Sequence, residues 1–522
     1  REGSKYGHYT ELTEKSRQTY GDVMLNISKT FKEKFALDAH IGASIKDNRF
    51  DELSVYGPIA GAPNIFNVVN LDKSQKKTPK TGWHEQTQSF FYSLELGWKS
   101  QLFVTTTGRN DWASQLANSP QKSFFYPSVG VSWLPSSTFN FPEKFNYLKI
   151  RASWASVANP FPRELTIATH PYDDTISGWD DKSNYPIGQL YPERTKTWEL
   201  GFDARFLNGF TLTASWYRAD TYNQTFNPNL SASSGYSDIY IQTGHVRNTG
   251  VEASLGYNHQ WKNWNWNSQF TFSWNKNKII ELCKEWYNPI TEETISMNRL
   301  QISKLGRAKF ILKEGGSMGD LYSTTDLRRD DKGNIEIDEG GNVVVEDNLP
   351  DMKLGSVFPD YNLAWRNSVS WKNLNLGFLV TARIGGIVNS LTQANMDLFG
   401  VSEATAAARD AGGALVNGRS LVNPETWYTA IASQGGIPQY YTYSATNVRL
   451  QELSLGYTIP RKWLHNVCSI TVSFVGRNLW MMYCKAPFDP EAVASTNNFY
   501  QGMDYFMMPS TRNLGFNINI KF

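Results

Sequence analysis

The chain has 522 residues, a formal net charge of +2 and a mean hydropathy of -0.46, yet 14% of it is aromatic, with 18 Trp, 26 Tyr and 29 Phe. The near-neutral charge leaves no electrostatic footprint for nucleic acid. Three cysteines are too few for a disulfide scaffold, and no apolar run of about 18 residues offers a transmembrane helix. So many rings in so polar a chain suit strands that show lipid one face and water the other.

The deciding pattern is alternation with period two. Trp198, Leu200, Phe202, Ala204 and Phe206 interleave with Thr197, Glu199, Gly201, Asp203 and Arg205. Phe210, Leu212, Ala214 and Trp216 interleave with Thr211, Thr213 and Ser215. Further on, Trp264, Trp266, Phe270, Phe272 and Trp274 alternate with Asn and Thr, and Leu374, Leu376, Phe378, Val380 and Ala382 do the same. The series ends with Leu514, Phe516, Ile518, Ile520 and Phe522 against Asn513, Gly515, Asn517, Asn519 and Lys521. Successive residues of a strand point to opposite faces, so each run is greasy on one side and wet on the other.

About fifteen such strands are expected, centred near Leu25, Ile41, Leu94, Val104, Val129, Ala152, Leu200, Ala214, Ala253, Phe270, Asn367, Leu379, Leu453, Val472 and Ile518. Trp98, Trp216, Trp274, Trp371 and Tyr457 lie near run ends, where amphipathic rings settle at a membrane boundary. The connections alternate short and long. Lys32–Lys34, Leu207–Gly209, Trp261–Asn263, Lys372–Asn373 and Arg461–Asn466 are short. Asn48–Trp83, Asn159–Glu193, Gln224–Gly244, Ile279–Pro359, Gly385–Ala445 and Trp480–Ser510 are long. Short periplasmic turns and long extracellular loops mark an all-β, transmembrane antiparallel β-barrel. Residues 1–15 then read as the end of an extracellular loop and 16–522 as about fifteen strands. An odd number beginning outside implies further strands upstream, since bacterial barrels have even counts.

Reactive chemistry is sparse. No nucleophile motif, zinc spacing, phosphate loop or dinucleotide fingerprint is present, so neither a cofactor nor an enzyme is expected. Glu199 and Asp203 share the wet face beside Arg205 and read as solvated wall charges rather than an acid–base pair. His245 and His259 read as ordinary polar positions, and Arg477 and Asn478 as groups that fix nearby backbone. Asp326, Asp330 and Asp331 lack the spacing of a calcium loop, while Asn334–Val345 reads as a surface hairpin. Cys283, Cys468 and Cys484 are expected as thiols rather than a 468–484 bridge. The candidate cargo contacts are loop rings, namely Trp427, Tyr428, Tyr440, Tyr441 and Tyr443 in one loop and Trp286 and Tyr287 in another. Aromatic faces stack on sugars, although the same rings also serve to pack loops together.

A series of local phrases runs along the chain. They include Phe125-Tyr-Pro-Ser-Val-Gly-Val-Ser-Trp133, Leu148-Lys-Ile-Arg-Ala-Ser-Trp154, Asn248-Thr-Gly-Val-Glu252 and Gly319-Asp-Leu-Tyr322. The strongest is Asn447-Val-Arg-Leu-Gln-Glu-Leu-Ser-Leu-Gly-Tyr-Thr-Ile-Pro460, followed by Val475-Gly-Arg-Asn-Leu479 and Phe488-Asp-Pro-Glu491. Together these phrases resemble the SusC/RagA family of TonB-dependent outer-membrane transporters. The resemblance implies a roughly 22-stranded barrel, of which this chain supplies the C-terminal strands, with the plug and N-terminal domain outside it. It also implies a SusD-like surface lipoprotein and TonB as partners in the outer membrane of a Gram-negative bacterium. The imported cargo would be an oligomeric nutrient, a glycan ahead of an oligopeptide. A passive porin and a surface adhesin are the alternatives.

Overall fold

A computed structural model of the chain describes residues 5–163, 165, 172–173, 178–179, 184–185, 190–226, 238–242, 244–288, 292–495 and 500–522. One fifteen-stranded sheet contains β1 His8–Phe31, β2 Phe35–Pro58, β3 Lys80–Trp98, β4 Leu102–Ala113 and β5 Phe124–Trp133. It continues with β6 Phe145–Asn159, β7 Glu193–Phe206, β8 Phe210–Tyr222, β9 His245–Trp261 and β10 Trp264–Glu281. The last five are β11 Tyr361–Trp371, β12 Leu374–Ile384, β13 Asn447–Ile459, β14 Ser469–Cys484 and β15 Asn513–Lys521. Each strand is bonded to its neighbours in sequence, which is the up-and-down order of a barrel wall. The expected number of strands and their antiparallel order are both present.

The largest boundary differences from expectation lie in the first hairpin. Strand β1 starts at His8, inside the 1–15 span read as loop, and β2 runs to Pro58 rather than ending near Asn48. The first extension is mostly polar, and in the second Phe50, Leu53 and Val55 break the period of two, so neither gives a clean alternation by which to extend a strand. Backbone pairing from His8↔Pro58 to Phe31↔Phe35 holds them instead.

The alternation of connections holds, with residues 114–123 as the one long-side connection no longer than the turn after it. Several tight turns place two successive residues in the left-handed region, Lys32 (φ 48) with Glu33 (φ 55) and Leu207 (φ 48) with Asn208 (φ 48). That backbone twist matches antiparallel neighbours. A chain of rings marks the tight-turn end. Phe206 stacks on Phe210 at 5.6 Å, Phe210 meets Tyr257 at 4.5 Å, and Tyr257 meets Trp266 at 5.1 Å. Trp264 and Trp371 stack at 5.6 Å on paired strands.

The greasy face is bare. Trp198 is 57% exposed, Phe474 50% and Phe516 78%. A soluble sandwich would bury these residues, whereas a membrane wall presents them to lipid.

The described chain divides into two compact units. One comprises 1–132, 153–196 and 222–242, and its connections enclose a core that includes Leu116, Phe124, Phe161 and Leu190. Ser119 Oγ donates to the Leu190 carbonyl there at 2.5 Å. The other comprises 133–152, 197–221 and 243–522. Its long loops fold into an assembly with its own secondary structure. Strands Arg299–Leu305, Ala308–Lys313, Asp320–Ser323 and Met352–Ser356 form one sheet, and Ile387–Ser390, Thr442–Ser444 and Met503–Asp504 form another. Three helices accompany them, Leu391–Leu398, Glu403–Asp410 and Pro424–Ala432.

The local sequence explains those helices. Ser390 caps the first by accepting from the Gln393 amide at 2.9 Å, and Ser402 caps the second by accepting from the Thr405 amide at 3.1 Å. Asn423 caps the third, with Pro424 at its first position, where a missing N–H costs nothing. Between them, Phe310, Leu321, Val357, Leu391 and Met503 form one buried cluster. Leu327, Ala394, Ile431, Ile437 and Tyr441 form a second. At Gly319 a β-carbon would lie 2.9 Å from the Phe358 ring, so only glycine admits that packing. The expected hairpin is present, with its turns at Asp330–Asn334 and Asp338–Asn342 held by each aspartate accepting from backbone amides. All three cysteines are unbridged.

Candidate functional site

The loop rings are placed unevenly. Tyr441 is 1% exposed, with its hydroxyl donating to Asp397 Oδ2 at 3.0 Å. Burial and the neighbouring Asp397 push that hydroxyl far above its ordinary range. Trp427 and Tyr440 meet edge to face at 5.9 Å, half-buried against the same core, and Tyr428 packs beside them. Tyr443 meets Phe488 edge to face at 5.6 Å, and burial pushes its hydroxyl up to about 12. Tyr287 is exposed on strand Cys283–Asn288, and the side chain of Trp286 lies outside the described residues. Tyr441, expected among the cargo contacts, is thus placed in the loop interior. Its ring is buried in the loop core and packs there.

The strand motifs meet in space. Arg449 Nη2 donates to Asp489 Oδ1 at 2.9 Å and Nη1 to Asp489 Oδ2 at 3.1 Å, while Nη2 also lies 3.3 Å from Glu491 Oε2. Arg449 Nε donates to Asn447 Oδ1 at 3.2 Å, and Asn447 Nδ2 donates to Glu491 Oε1 at 3.3 Å. Burial alone would raise the Asp489 carboxyl, but the Arg449 bonds and the Glu491 amide outweigh it and hold it below the usual range. With the Arg449 side chain 5% exposed, this bidentate pair fastens the connection after β14 onto β13.

Two wall readings change. Glu199 and Asp203 hold Arg151, at 3.6 and 2.9 Å, whereas Arg205 lies 5.0 Å over the Tyr147 ring. The cross-strand neighbour won because one wet face carries all three groups. His245 is no idle polar position. With Arg218 and Arg247 it surrounds Asp220, whose carboxylate accepts at 2.6, 2.8 and 2.7 Å. Arg218 and Asp220, like His245 and Arg247, are spaced by two on successive strands, and that spacing was the available signal. Arg477 bonds Glu452 at 3.3 Å, and Asn478 Nδ2 donates to the Thr511 carbonyl at 3.2 Å.

Within the larger unit the wet face hollows into a cavity of about 730 Å³. Its floor is small and hydroxylic, with Ser254, Thr271, Ser273 and Thr381 among the lining residues. Register sets two rows across four strands, Glu252↔Ser273↔Asn362↔Arg383 and Ser254↔Thr271↔Ala364↔Thr381. The intervening row, Ala253↔Phe272↔Leu363↔Ala382, turns to the opposite face. Arg151 and Glu491 line the same hollow. Its volume falls in the range of small-ligand sites.

Residues 2–479 match the family described as TonB dependent receptor-like, beta-barrel. The chain belongs to this family. It is 26% identical to TonB-dependent receptor P3 of Formosa agariphila, over 95% of this chain and 52% of that protein. It is 22% identical to TonB-dependent receptor SusC of Bacteroides thetaiotaomicron, over 72% of this chain and 38% of that protein. Among solved structures, the RagAB peptide importer in its open-open state superposes with a TM-score of 0.76 at 18% identity, covering 98% of this chain and 56% of that one. The chain thus spans about half the length of the Formosa agariphila receptors it matches, and less of SusC. It is a strand-built outer-membrane protein, and its bare apolar face is the one turned to lipid.

Proposed function

We propose that this chain forms part of the wall and the outer loops of a TonB-dependent importer for an oligomeric nutrient, working with a plug domain, TonB and a SusD-like surface lipoprotein. Membership of the receptor-barrel family carries this reading. The folded loop assembly supports it, since loops with their own buried cores can hold a cargo-facing surface in one geometry.

The cargo is a glycan or an oligopeptide. The glycan expectation drew on loop rings, and Tyr428, Tyr440, Trp427 and Tyr287 keep some exposed surface for that purpose. A specific observation favours the peptide reading, because the wet-face cavity presents hydroxyls, amides and charges of both signs. Deletion of the gene in its native bacterium tests the proposal, with uptake of labelled oligosaccharides and oligopeptides as the readout. Uptake should fall and should need an energised inner membrane. Uptake that survives an uncoupler would point to a porin. No uptake defect for either class, together with lost surface attachment, would point to an adhesin.

A further inference from the structure

Four charged groups line the cavity, and two are already neutralised. Arg151 is held by Asp203 and Glu199. Glu491 is held by Arg449 and Asn447. The other two are open. Arg383 gives one N–H to the Val357 carbonyl at 2.9 Å, meets no carboxylate within ion-pair distance among the described residues, and leaves its Nε without an acceptor. Glu252 is exposed and has neither an ion-pair nor a hydrogen-bond partner among the described residues. A cation and an anion without ion-pair partners among the described residues therefore face one hollow, with Glu491 beyond ion-pair distance of Arg383.

Their separation is set by register. Glu252, Ser273, Asn362 and Arg383 are directly paired on four successive strands. Three strand spacings amount to about 14 Å. An extended peptide advances about 3.3–3.6 Å per residue, so about four residues bridge that span with a charged end at each side. Between the two charges, Ser273, Asn362 and the neighbouring Thr271 and Thr381 can donate and accept, as a peptide backbone requires. Among the described lining residues the one aromatic ring, Phe272, belongs by register to the outward row, so it offers a sugar no face to stack on.

We propose that this hollow is a seat for a short peptide with free termini, the C-terminal carboxylate on Arg383 and the N-terminal ammonium on Glu252. This inference rests on the import reading and names its cargo. Arg383 is the specificity-determining residue for the carboxylate, because a guanidinium takes a carboxylate through two N–H bonds where an amide cannot answer. The seat would pair both charges, which have no ion-pair partner among the described residues, on a wall where Arg151, Asp220 and Arg449 all find partners of opposite sign.

Calorimetric titration of the protein purified from its outer membrane tests the seat, with tetra-alanine, N-acetyl-tetra-alanine amide, di-alanine and maltotetraose as probes. Free tetra-alanine should bind about tenfold to a hundredfold more tightly than the doubly capped form, and more tightly than di-alanine. Arg383→Gln should erase the advantage of a free C-terminus and Arg383→Lys should restore part of it. Glu252→Gln, at an exposed position where folding is indifferent, should erase the advantage of a free N-terminus. Equal binding of capped and free tetra-alanine by the unaltered protein would overturn the proposal. Arg383-dependent binding of maltotetraose alone would also overturn it, in favour of a glycan seat. If tetra-alanine binds as expected but deletion of the gene leaves its uptake unchanged, the import reading fails and the seat stands.

Discussion

On the strands, Trp198, Phe474 and Phe516 keep at least half their surface open, and in the loops Phe310 and Leu321 keep none. The same kind of side chain meets opposite fates within one unit of the chain. A wall built of antiparallel strands satisfies its backbone within the sheet and can turn its oil outward only because lipid receives it. The loops stand in water and must bury theirs, so they fold as a small soluble domain would, with capped helices, short sheets and two apolar clusters. Two solvents thus act on one chain, and mutations should report which solvent governs each region.

The largest effect belongs to the loop core. Phe310→Ala removes a fully buried ring and should cost about 3–5 kcal/mol of local stability. Hydrogen exchange should quicken in Ala308–Lys313 and Asp320–Ser323 while wall strands such as Leu374–Ile384 keep their protection. If wall and loops unfold together, the comparison between two independent regions breaks.

Next comes the wall. Phe378 lies mid-strand on the outward face, edge to face with Trp365 at 5.3 Å. Phe378→Arg should cost about 2–4 kcal/mol in a bilayer, read by urea unfolding in lipid vesicles. Thr381→Arg, on the wet face of the same strand, should stay within about 0.5 kcal/mol. Equal penalties at the two positions would mean that lipid is not the solvent of the Phe378 face.

The sequence made the two regions legible to different degrees. Strand alternation is a local property, so Leu374–Ile384 or Asn513–Lys521 announces its own faces without knowledge of any partner. The loop assembly is built from distant pieces. Ser390 Oγ donates to Asp504 at 2.5 Å and Asn389 is strand-paired with Met503, across more than a hundred residues in each case. No periodicity encodes such contacts, which is why the aromatic cluster near Trp427 could be read either as cargo surface or as packing. The cavity was hidden for the same reason. Glu252 and Arg383 come from strands separated in sequence by the longest loop, and only register brings them into one row. The Arg449–Asp489 clamp was half visible, because both residues lie in phrases that stood out in the sequence, though nothing there paired them.

Tyr441→Phe sharpens the packing side of that ambiguity. It keeps the buried ring and removes the hydroxyl that donates to Asp397, whose other oxygen accepts from Gln393 Nε2 at 3.0 Å. Leaving a buried carboxylate oxygen unanswered should cost about 1–3 kcal/mol. Faster proteolysis within 385–446, with tetra-alanine affinity unchanged, is the expected outcome. A selective loss of cargo binding without loosening would return Tyr441 to the binding surface.

The smallest expected effect separates the regions by pH. In the loop sheet the Arg299 guanidinium, aided by Lys313, holds the Asp351 carboxyl down at about 2 against an ordinary value of 3.8. A depressed carboxyl lends stability that is fully present above the ordinary value and lost as pH falls through the folded one. The loss therefore runs between about pH 4 and about pH 2. Arg299 is 43% exposed, so water screens the pair and the contribution is about 1 kcal/mol or less. Hydrogen exchange in Arg299–Leu305 should quicken from pH 5 to pH 2.5, after correction for the intrinsic rate, and Asp351→Asn should flatten that change. Strands such as Leu374–Ile384, held by paired backbone and lipid contact, should show no matching step over the same range. A step of equal size in both places would mean that acid acts on the whole chain and not on the Arg299–Asp351 pair.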